Sequence, residues 1–454
     1  MLQRILFLFA WIAAIFSCGP LLAARSELIP ETTAARHGLT RPWFAQVELD
    51  QGRGRVSDVI LRDGVLYAQT DSAMVHAIDA ETGKTLWSQR IGRPKHPSMT
   101  PDAMGGLLAV VNGSRLYLVD RFDGKLLHEI EVKDAPGAGP ALSSQRVYVP
   151  MVSGMVVAYP LSAIDESKRE SAKQEKDAAA EEKTGPELDR KASDPPMFCR
   201  SYGRALVQPL VTRDDPGGEY IVWPTDRGYL NFARIDREIV NAFLLKFRLE
   251  TGARIAGRPG YLPPDPKVLG DSGVVYAVSG DGFVYAIKEE DGGTLWRFST
   301  GEPIVRSPAV IGDRVYVATQ LGGMYCLESK TGKNLWWTPG VVQFVAAGKA
   351  RVYVVDRTGR ILALDAASGA RLDTIHTENV SVKMSNTDTD RIYLIGRQGL
   401  IQCLREAEQI KPIEHDKDRK AAAKAGAKPS PKPNTLETKE AGDAKPDDSK
   451  NPFF

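Results

Sequence analysis

The chain has 454 residues, with 59 lysine and arginine residues against 57 aspartate and glutamate residues, and a formal net charge of +2. This balance excludes the basic field that nucleic-acid-binding proteins present, so nucleic acid is not an expected partner. The length would allow several domains or one long repeat array, and the repeats described below favour a single array.

The first 24 residues have the pattern of a secretory signal peptide. Arg4 precedes an apolar run of about a dozen residues, and small residues up to Ala24 provide a cleavage site. The pattern predicts an exported protein of the periplasm or cell envelope. A second interpretation makes Cys18 the lipidated first residue of the mature chain, and membrane attachment is expected only in that case.

Residues 25–41 have no strand pattern and are predicted to form an exposed leader. The next segment, residues 43–49, looks like one isolated outer strand.

Residues 274–301 form the unit that the rest of the chain repeats. Val274–Ser279 and Phe283–Lys288 are rich in β-branched and aromatic residues, and the glycines between them suit a tight hairpin. A second turn leads into Leu295–Phe298, which has the alternation of a half-buried strand. The motif of the second strand recurs at steps of about 40 residues, wherever no insertion intervenes, as Ala77–Asp79, Leu118–Asp120, Ala158–Pro160, Ala286–Lys288, Cys326–Glu328, Ala363–Asp365 and Cys403–Arg405. Four-stranded units at this period are typical of a β-propeller.

The two ends of the array are each incomplete. The last unit, residues 378–405, lacks an outer strand, whereas residues 43–49 lack the three strands that should precede them. We therefore predict an all-β, eight-bladed β-propeller of four-stranded antiparallel blades over residues 42–405, closed by an N-terminal strand that completes the last blade.

Two segments have compositions that cannot bury enough apolar surface to fold. Residues 162–196 are predicted to be a charged, disordered insert in blade three, and residues 406–454 a disordered tail rich in lysine, alanine, proline and glutamate. Blade four is irregular and allows two alignments. Either Phe243–Phe247 is its outer strand, or Glu250–Gly252 occupies the turn that Glu81–Gly83 forms in blade one.

The motif Ala77-x-Asp79-x-x-Thr82-Gly83-Lys84-x-x-Trp87 resembles the repeat of the pyrroloquinoline-quinone (PQQ) type of β-propeller, which is WD40-like in architecture. In this family the tryptophan docks between adjacent blades. The resemblance therefore implies structural docking roles for Trp87, Trp296 and Trp336. His128 and Asp373 stand at the same position in blades two and seven.

The family contains both enzymes and scaffolds. Its quinone-dependent dehydrogenases hold PQQ with calcium, many of them beside adjacent cysteines, and this chain has no Cys-Cys pair. The chain is similar to the scaffold branch, which consists of the BamB-like lipoproteins of outer-membrane protein assembly. The resemblance implies a monomeric, non-catalytic envelope scaffold without a cofactor, which binds envelope proteins through its loops and outer strand edges. The alternative is a periplasmic PQQ-dependent oxidoreductase with calcium.

No catalytic, cofactor-binding or metal-ligating set emerges from the residues themselves. The histidines lack metal-ligand spacing, so His76 is expected to pack in a strand, and Asn386–Asp390 is interpreted as a polar turn. Arg306 and Lys383 lie near blade starts and are expected to line the central channel. The thiols outside the signal are expected to be small, buried and unpaired, and they are Cys199, Cys326 and Cys403.

Overall fold

The computed structural model describes residues 27–49, 54–162, 195–215, 218–236, 242–264 and 272–415. In these residues the strands form eight four-stranded antiparallel sheets, as predicted. The signal peptide, Cys18, most of the blade-three insert and residues 416–454 lie outside the described residues.

The N-terminal part contains helix α1 (Glu31–Arg36) and strand β1 (Leu39–Gln46). Blade one consists of β2 (Val56–Arg62), β3 (Val65–Thr70), β4 (Met74–Asp79) and β5 (Thr85–Arg90). Blade two consists of β6 (Asp102–Met104), β7 (Leu107–Asn112), β8 (Arg115–Asp120) and β9 (Leu126–Glu131). Blade three consists of β10 (Ala141–Leu142), β11 (Arg146–Pro150), β12 (Met155–Pro160) and β13 (Met197–Arg200). Blade four consists of β14 (Leu210–Asp215), β15 (Gly218–Pro224), β16 (Tyr229–Asp236) and β17 (Ala242–Glu250).

Blade five consists of β18 (Gly260–Leu262), β19 (Val274–Val278), β20 (Phe283–Lys288) and β21 (Thr294–Ser299). Blade six consists of β22 (Ala309–Ile311), β23 (Arg314–Ala318), β24 (Gly323–Glu328) and β25 (Asn334–Pro339). Blade seven consists of β26 (Val341–Ala347), β27 (Arg351–Asp356), β28 (Ile361–Asp365) and β29 (Arg371–Ile375). Blade eight combines β30 (Val382–Lys383), β31 (Ile392–Ile395) and β32 (Leu400–Glu406) with β1.

The first strands of neighbouring blades contact each other, as β2 does with β6 and β6 with β10, so they surround the central channel. Because the strands are antiparallel, the connections between blades and the turns between second and third strands lie at the same end of the propeller. We call this end the upper face and the opposite end the lower face.

The predicted closure of the ring is confirmed. Strand β1 pairs antiparallel with β32, from Leu39 opposite Glu406 to Gln46 opposite Leu400. The strand begins four residues earlier than the predicted segment at residue 43. Its register shifts between Thr40 and Trp43, where Pro42 has no N–H to give to the ladder.

The turn between the third and fourth strands explains the Asp-x-x-Thr-Gly motif. The Asp79 carboxylate accepts hydrogen bonds from the Thr82 backbone N–H at 2.8 Å and from the Thr82 hydroxyl at 2.7 Å. Gly83 follows with φ +72°, a left-handed conformation that side chains rarely adopt. The Asp365 carboxylate holds the equivalent turn of blade seven in the same way.

Four tryptophans join neighbouring blades by one geometry. Each lies on the outer strand of a blade and donates its indole N–H to a backbone carbonyl at the turn of the next blade. The pairs are Trp43 with Ala80 at 3.0 Å, Trp87 with Arg121 at 2.8 Å, Trp296 with Ser329 at 2.8 Å and Trp336 with Ala366 at 3.1 Å. The indole rings cover the glycines of these turns, and a Cβ at Gly83 would lie 2.5 Å from the Trp43 ring. Trp43 was not among the predicted docking residues.

The prediction of an exposed leader through residue 41 is wrong for the part that the structure describes. Residues 31–36 form helix α1, and Ile29, Ala34 and Leu39 are buried in a core shared by blades seven and eight. This is the junction at which Asp373 replaces the docking tryptophan. The helix and its two flanking residues place apolar side chains there, and a helix of six residues was too short to show a helical pattern in the sequence.

His37, which follows helix α1, holds it to the Asp373 side chain. Its Nδ1 lies 2.6 Å from the Asp373 carboxylate. Burial raises the pKa of Asp373, but hydrogen bonds from His37 and from the Thr374 backbone N–H outweigh this effect and leave the pKa below its ordinary value. The charged carboxylate is therefore stabilised at the helix.

The predicted start of the disordered tail at residue 406 is also wrong. Glu406 ends β32, and residues 407–415 cross the lower face of blade eight. The Arg391 guanidinium donates to the Ile410 carbonyl at 2.7 Å, and the Ile413 backbone N–H donates to the Asp390 carboxylate at 2.9 Å. Backbone groups dominate these contacts, which is why composition did not reveal them.

Of the two alignments of blade four, the structure shows the one with Phe243–Phe247 in the outer strand, β17. Glu250 ends this strand, and Thr251 lies beyond it, bonded through its hydroxyl to the Gly228 carbonyl at 2.8 Å. Phe247 takes the docking position, since its ring covers Gly292 of blade five.

The adjacent tryptophans of β25 test the importance of docking. Trp336 is 5% exposed and Trp337 is 49% exposed. We expect Trp336→Ala to lower the free energy of unfolding by about 3–5 kcal/mol, because it leaves a cavity between two blades. Trp337→Ala should cost about 1 kcal/mol or less. Urea denaturation measures both, and equal losses would contradict a special role for Trp336.

Ala34 and Ala35 form a second matched pair, since Ala34 is buried and Ala35 is exposed on the same helix. We expect Ala34→Asp to release helix α1, because it places an unpaired charge in the core. Trypsin cleavage at Arg36 should then accelerate about tenfold or more. Ala35→Asp should change the rate little. Equal cleavage rates in the two variants would show that the helix is not held by its buried face.

Candidate functional site

The candidate site is a cleft of about 830 Å³ on the upper face of blade eight. It extends from Lys383 on the innermost strand, β30, to Gln46 at the end of the outermost strand, β1. The connection from blade seven forms one wall, including Glu378. The turn between β31 and β32 forms another, with Arg397.

The segment before helix α1 completes this cleft. The Glu27 side chain accepts a hydrogen bond from the Arg397 backbone N–H at 2.8 Å, and the Gln402 amide donates to the Glu27 carbonyl at 2.7 Å. The Gln402 side-chain oxygen in turn accepts from the Ile29 backbone N–H at 3.0 Å. These bonds fix the N-terminal segment to Arg397 and to Gln402 of β32, so that the segment forms a wall of the cleft.

Lys383 is the most buried charged group of the cleft. The residue is 8% exposed, and its Nζ donates to the Val380 carbonyl at 2.6 Å. Burial lowers the pKa of its ammonium below the ordinary value, although the carboxylates of Glu378 and Asp356 act in the opposite direction. A partly desolvated ammonium gains from any hydrogen-bond acceptor that enters the cleft.

The cleft combines both signs of charge. Glu27 and Glu378 contribute carboxylates, whereas Lys383 and Arg397 contribute cations. Such a lining can hold a polar segment through hydrogen bonds and paired charges. It is less suited to an apolar small molecule, which binds best in a predominantly hydrophobic pocket.

The structure separates the two basic residues that were expected to line the channel. Lys383 lies on an innermost strand and reaches the cleft, whereas Arg306 is exposed on the connection between blades five and six. His76 is buried in β4, and burial lowers its pKa. His128 lies on β9 opposite Leu118, at the position equivalent to Trp87.

The segment Asn386–Asp390 is a polar turn whose side chains form hydrogen bonds within the turn and to Arg391. The Asn386 side chain donates to the Thr389 hydroxyl and to the Arg391 carbonyl, both at 2.8 Å, and accepts from the backbone N–H groups of Asp388 and Thr389 at 3.0 Å. Asp390 is paired with Arg391 at 3.2 Å. The side-chain oxygens of Asn386 and Asp390 therefore already have hydrogen-bond or ion-pair partners within the protein.

The three cysteines of the described residues are free and buried. Burial raises the pKa of Cys199 to about 11 and that of Cys326 to about 12, and it raises the pKa of Cys403 further. Thiols with such values are poor nucleophiles near neutral pH. They act as small core residues.

The calcium ion that accompanies PQQ in the quinone-dependent dehydrogenases would need a set of oxygen ligands. Calcium needs several clustered oxygen ligands. Across the described ranges, no three histidine, cysteine, aspartate or glutamate side chains come together in a way that could hold a metal ion.

A search of the described residues for membrane-spanning helices found none with the length and apolar composition that a span requires.

The family model described as outer membrane protein assembly factor BamB matches residues 34–190 and 268–401. The chain belongs to this family. The crystal structure of BamB from Moraxella catarrhalis superposes with a TM-score of 0.55, covering 81% of this chain and 97% of that one. Its sequence identity is 15%, so this likeness shows the fold alone.

Two curated relatives match shorter parts of the chain. Tetrathionate hydrolase of Acidithiobacillus ferrooxidans is 28% identical over 141 residues, which are 24% of this chain and 28% of that protein. The quinone-dependent 1-butanol dehydrogenase of Thauera butanivorans is 28% identical over 117 residues, 23% of this chain and 19% of that protein. This chain therefore spans less than a third of either relative.

The pKa of Lys383 leads to a test of its charge. Below the lowered pKa of the folded state, the buried ammonium reduces stability, and this cost disappears as the pH rises toward the ordinary value of 10.5. We expect Lys383→Met to be more stable than the parent at pH 7, with the difference shrinking in alkaline buffer. Urea denaturation at both pH values measures the effect.

Lys349 provides the control, because it is exposed on the lower face. Lys349→Met should show no pH-dependent difference from the parent. If Lys383→Met were instead less stable at pH 7, the hydrogen bond to Val380 would outweigh the cost of burial.

Proposed function

We propose that this protein is a non-catalytic scaffold of the cell envelope that binds other envelope proteins. The observation that carries the proposal is the match to the BamB family over both halves of the propeller. The superposition on nearly all of a solved BamB chain supports it, because the two proteins share the whole propeller rather than a few blades.

The surface of the propeller supports binding by two routes. The outer strands carry unpaired backbone groups, which can accept an extended segment of a partner by strand addition. The upper-face connections, including the cleft of blade eight, offer polar groups on a rigid base. The protein would act as a monomeric ring, exported by the N-terminal signal, with membrane attachment only if Cys18 is lipidated.

The proposal can be tested with photocrosslinking residues placed at exposed positions of the full chain in its native cells. Phe44 and Leu372 on outer strands and Val305 on an upper-face connection are suitable, since each is exposed. Leu66, which is fully buried, is the control. We expect covalent adducts with an envelope protein from exposed positions and none from Leu66. A chain that forms no adduct at any exposed position would contradict the scaffold function.

The second candidate is a periplasmic quinoprotein oxidoreductase, favoured by the partial match to the quinone-dependent 1-butanol dehydrogenase. Calorimetric titration of the purified protein with PQQ and calcium distinguishes the two. Saturable binding at a stoichiometry of one would support an enzyme. The scaffold proposal expects no heat of binding.

A further inference from the structure

One outer-strand position differs in character between the blades. The position directly after the docking residue faces away from the next blade and is polar in five of the eight blades: Ser88, Glu129, Arg248, Arg297 and Thr374. Three blades have an aromatic residue there instead: Phe198 in blade three, Trp337 in blade six and Phe44 in blade eight. The repeat therefore folds without an aromatic side chain at this position, and Trp337 needs another explanation.

Trp337 extends an aromatic surface across the junction of blades five and six. The Phe298 ring of blade five contacts the Tyr325 ring of blade six edge to face, with centroids 5.4 Å apart. The Trp337 ring follows, 6.3 Å from that of Tyr325. We call Phe298, Tyr325 and Trp337 the five-six groove.

The chemistry of this groove favours an aromatic ligand. The Tyr325 hydroxyl donates a hydrogen bond to the Thr300 carbonyl at 3.3 Å. The hydroxyl therefore already has a partner, and the ring is the part of Tyr325 that can pack against a ligand. Trp337 keeps 49% of its surface exposed. At the equivalent position of blade eight, the Arg41 guanidinium lies over the Phe44 ring at 5.4 Å from its centroid, so that ring has a partner. Tryptophan and tyrosine are the residues that most often anchor a bound segment.

The chain itself contains a segment of matching chemistry. Downstream of residue 26, the only aromatic residues outside the described residues are Phe453 and Phe454, which follow Pro452. Adjacent proline and phenylalanine side chains pack well against aromatic rings.

The connection is long enough to bring this segment to the groove. The described chain ends at His415, whose Nε2 bonds the Ala347 carbonyl at 3.0 Å. Residues 416–451 then provide 36 residues, which reach roughly 120 Å when fully extended. A ligand tethered in this way has an effective concentration in the millimolar range, so even weak packing would keep the groove occupied.

We propose that Pro452, Phe453 and Phe454 occupy the five-six groove of their own chain. The two phenylalanine rings pack against Trp337 and Tyr325 and cover the exposed indole. The groove is then filled within the molecule and is not free for other aromatic segments unless they displace it. The five-six groove is a different surface from the cleft of blade eight, and its occupation by the tail does not depend on the identity of any partner.

Hydroxyl-radical footprinting of the full chain tests the proposal, with the oxidation rate of Trp337 as the readout. In a variant carrying Phe453→Ser and Phe454→Ser, we expect Trp337 to be oxidised several-fold faster than in the parent. Phe44, an exposed aromatic residue on another blade, should be oxidised at the same rate in both. The matched control changes Asp447 and Asp448 to serine and should leave Trp337 protected.

A photoreactive benzoylphenylalanine in place of Phe454 locates the contact directly. Adducts within β25 or at Phe298 and Tyr325 of the same chain support the proposal. Adducts at other sites, or equal oxidation of Trp337 in the parent and the phenylalanine variant, overturn it. Adducts or protection that appear only as the protein concentration rises would assign the groove to the tail of a second copy, which also overturns the intramolecular proposal.

Discussion

The pairing of β1 with β32 is the interaction on which the rest of the structure depends. A blade is a small sheet with two faces to bury, and it can do so only between two neighbours. Without β1, blade eight would have three strands, and blade one would lose the Trp43 indole that covers Gly83. Closure therefore completes one sheet and one blade junction together. It also joins two segments more than 350 residues apart in sequence, at a cost in chain entropy that this pairing and packing must offset.

The junctions between blades are variations on one design. Where a tryptophan is present, a ring over a glycine and a hydrogen bond to a carbonyl hold the next turn. Blade four uses Phe247 in the same position. At the junction of blades seven and eight, Asp373 cannot fill the space, and the segment that contains helix α1 supplies Ile29 and Ala34 instead. The N-terminal segment thus compensates for the loss of one docking residue.

The segments that flank the propeller on either side also shape the surfaces of blade eight. The segment at Glu27 forms a wall of the upper cleft, whereas residues 407–415 cover part of the lower face through Arg391 and Asp390. Both segments are bonded chiefly through backbone groups. Blade eight consequently differs from the other blades on both faces, which makes it the natural place to seek a function that is specific to this protein within its family.

Much of this architecture was determined by the sequence alone. The spacing of the second-strand motif, the Asp-x-x-Thr-Gly turn with its partial copies, and the incomplete first and last units predicted eight blades and the closing strand, because these features are local in sequence. Trp87, Trp296 and Trp336 could be recognised for the same reason.

Other features were decided only by the tertiary structure, because they depend on contacts between segments that share no pattern. Helix α1 is one short helix whose buried face is defined by blades seven and eight, and residues 407–415 are held mainly by their backbone. Lys383 is buried because β30 places it beside the connection from blade seven, while Arg306, which looks similar in sequence, is exposed. Burial of a charge is a property of its surroundings, and these are formed only when distant segments of the chain come together.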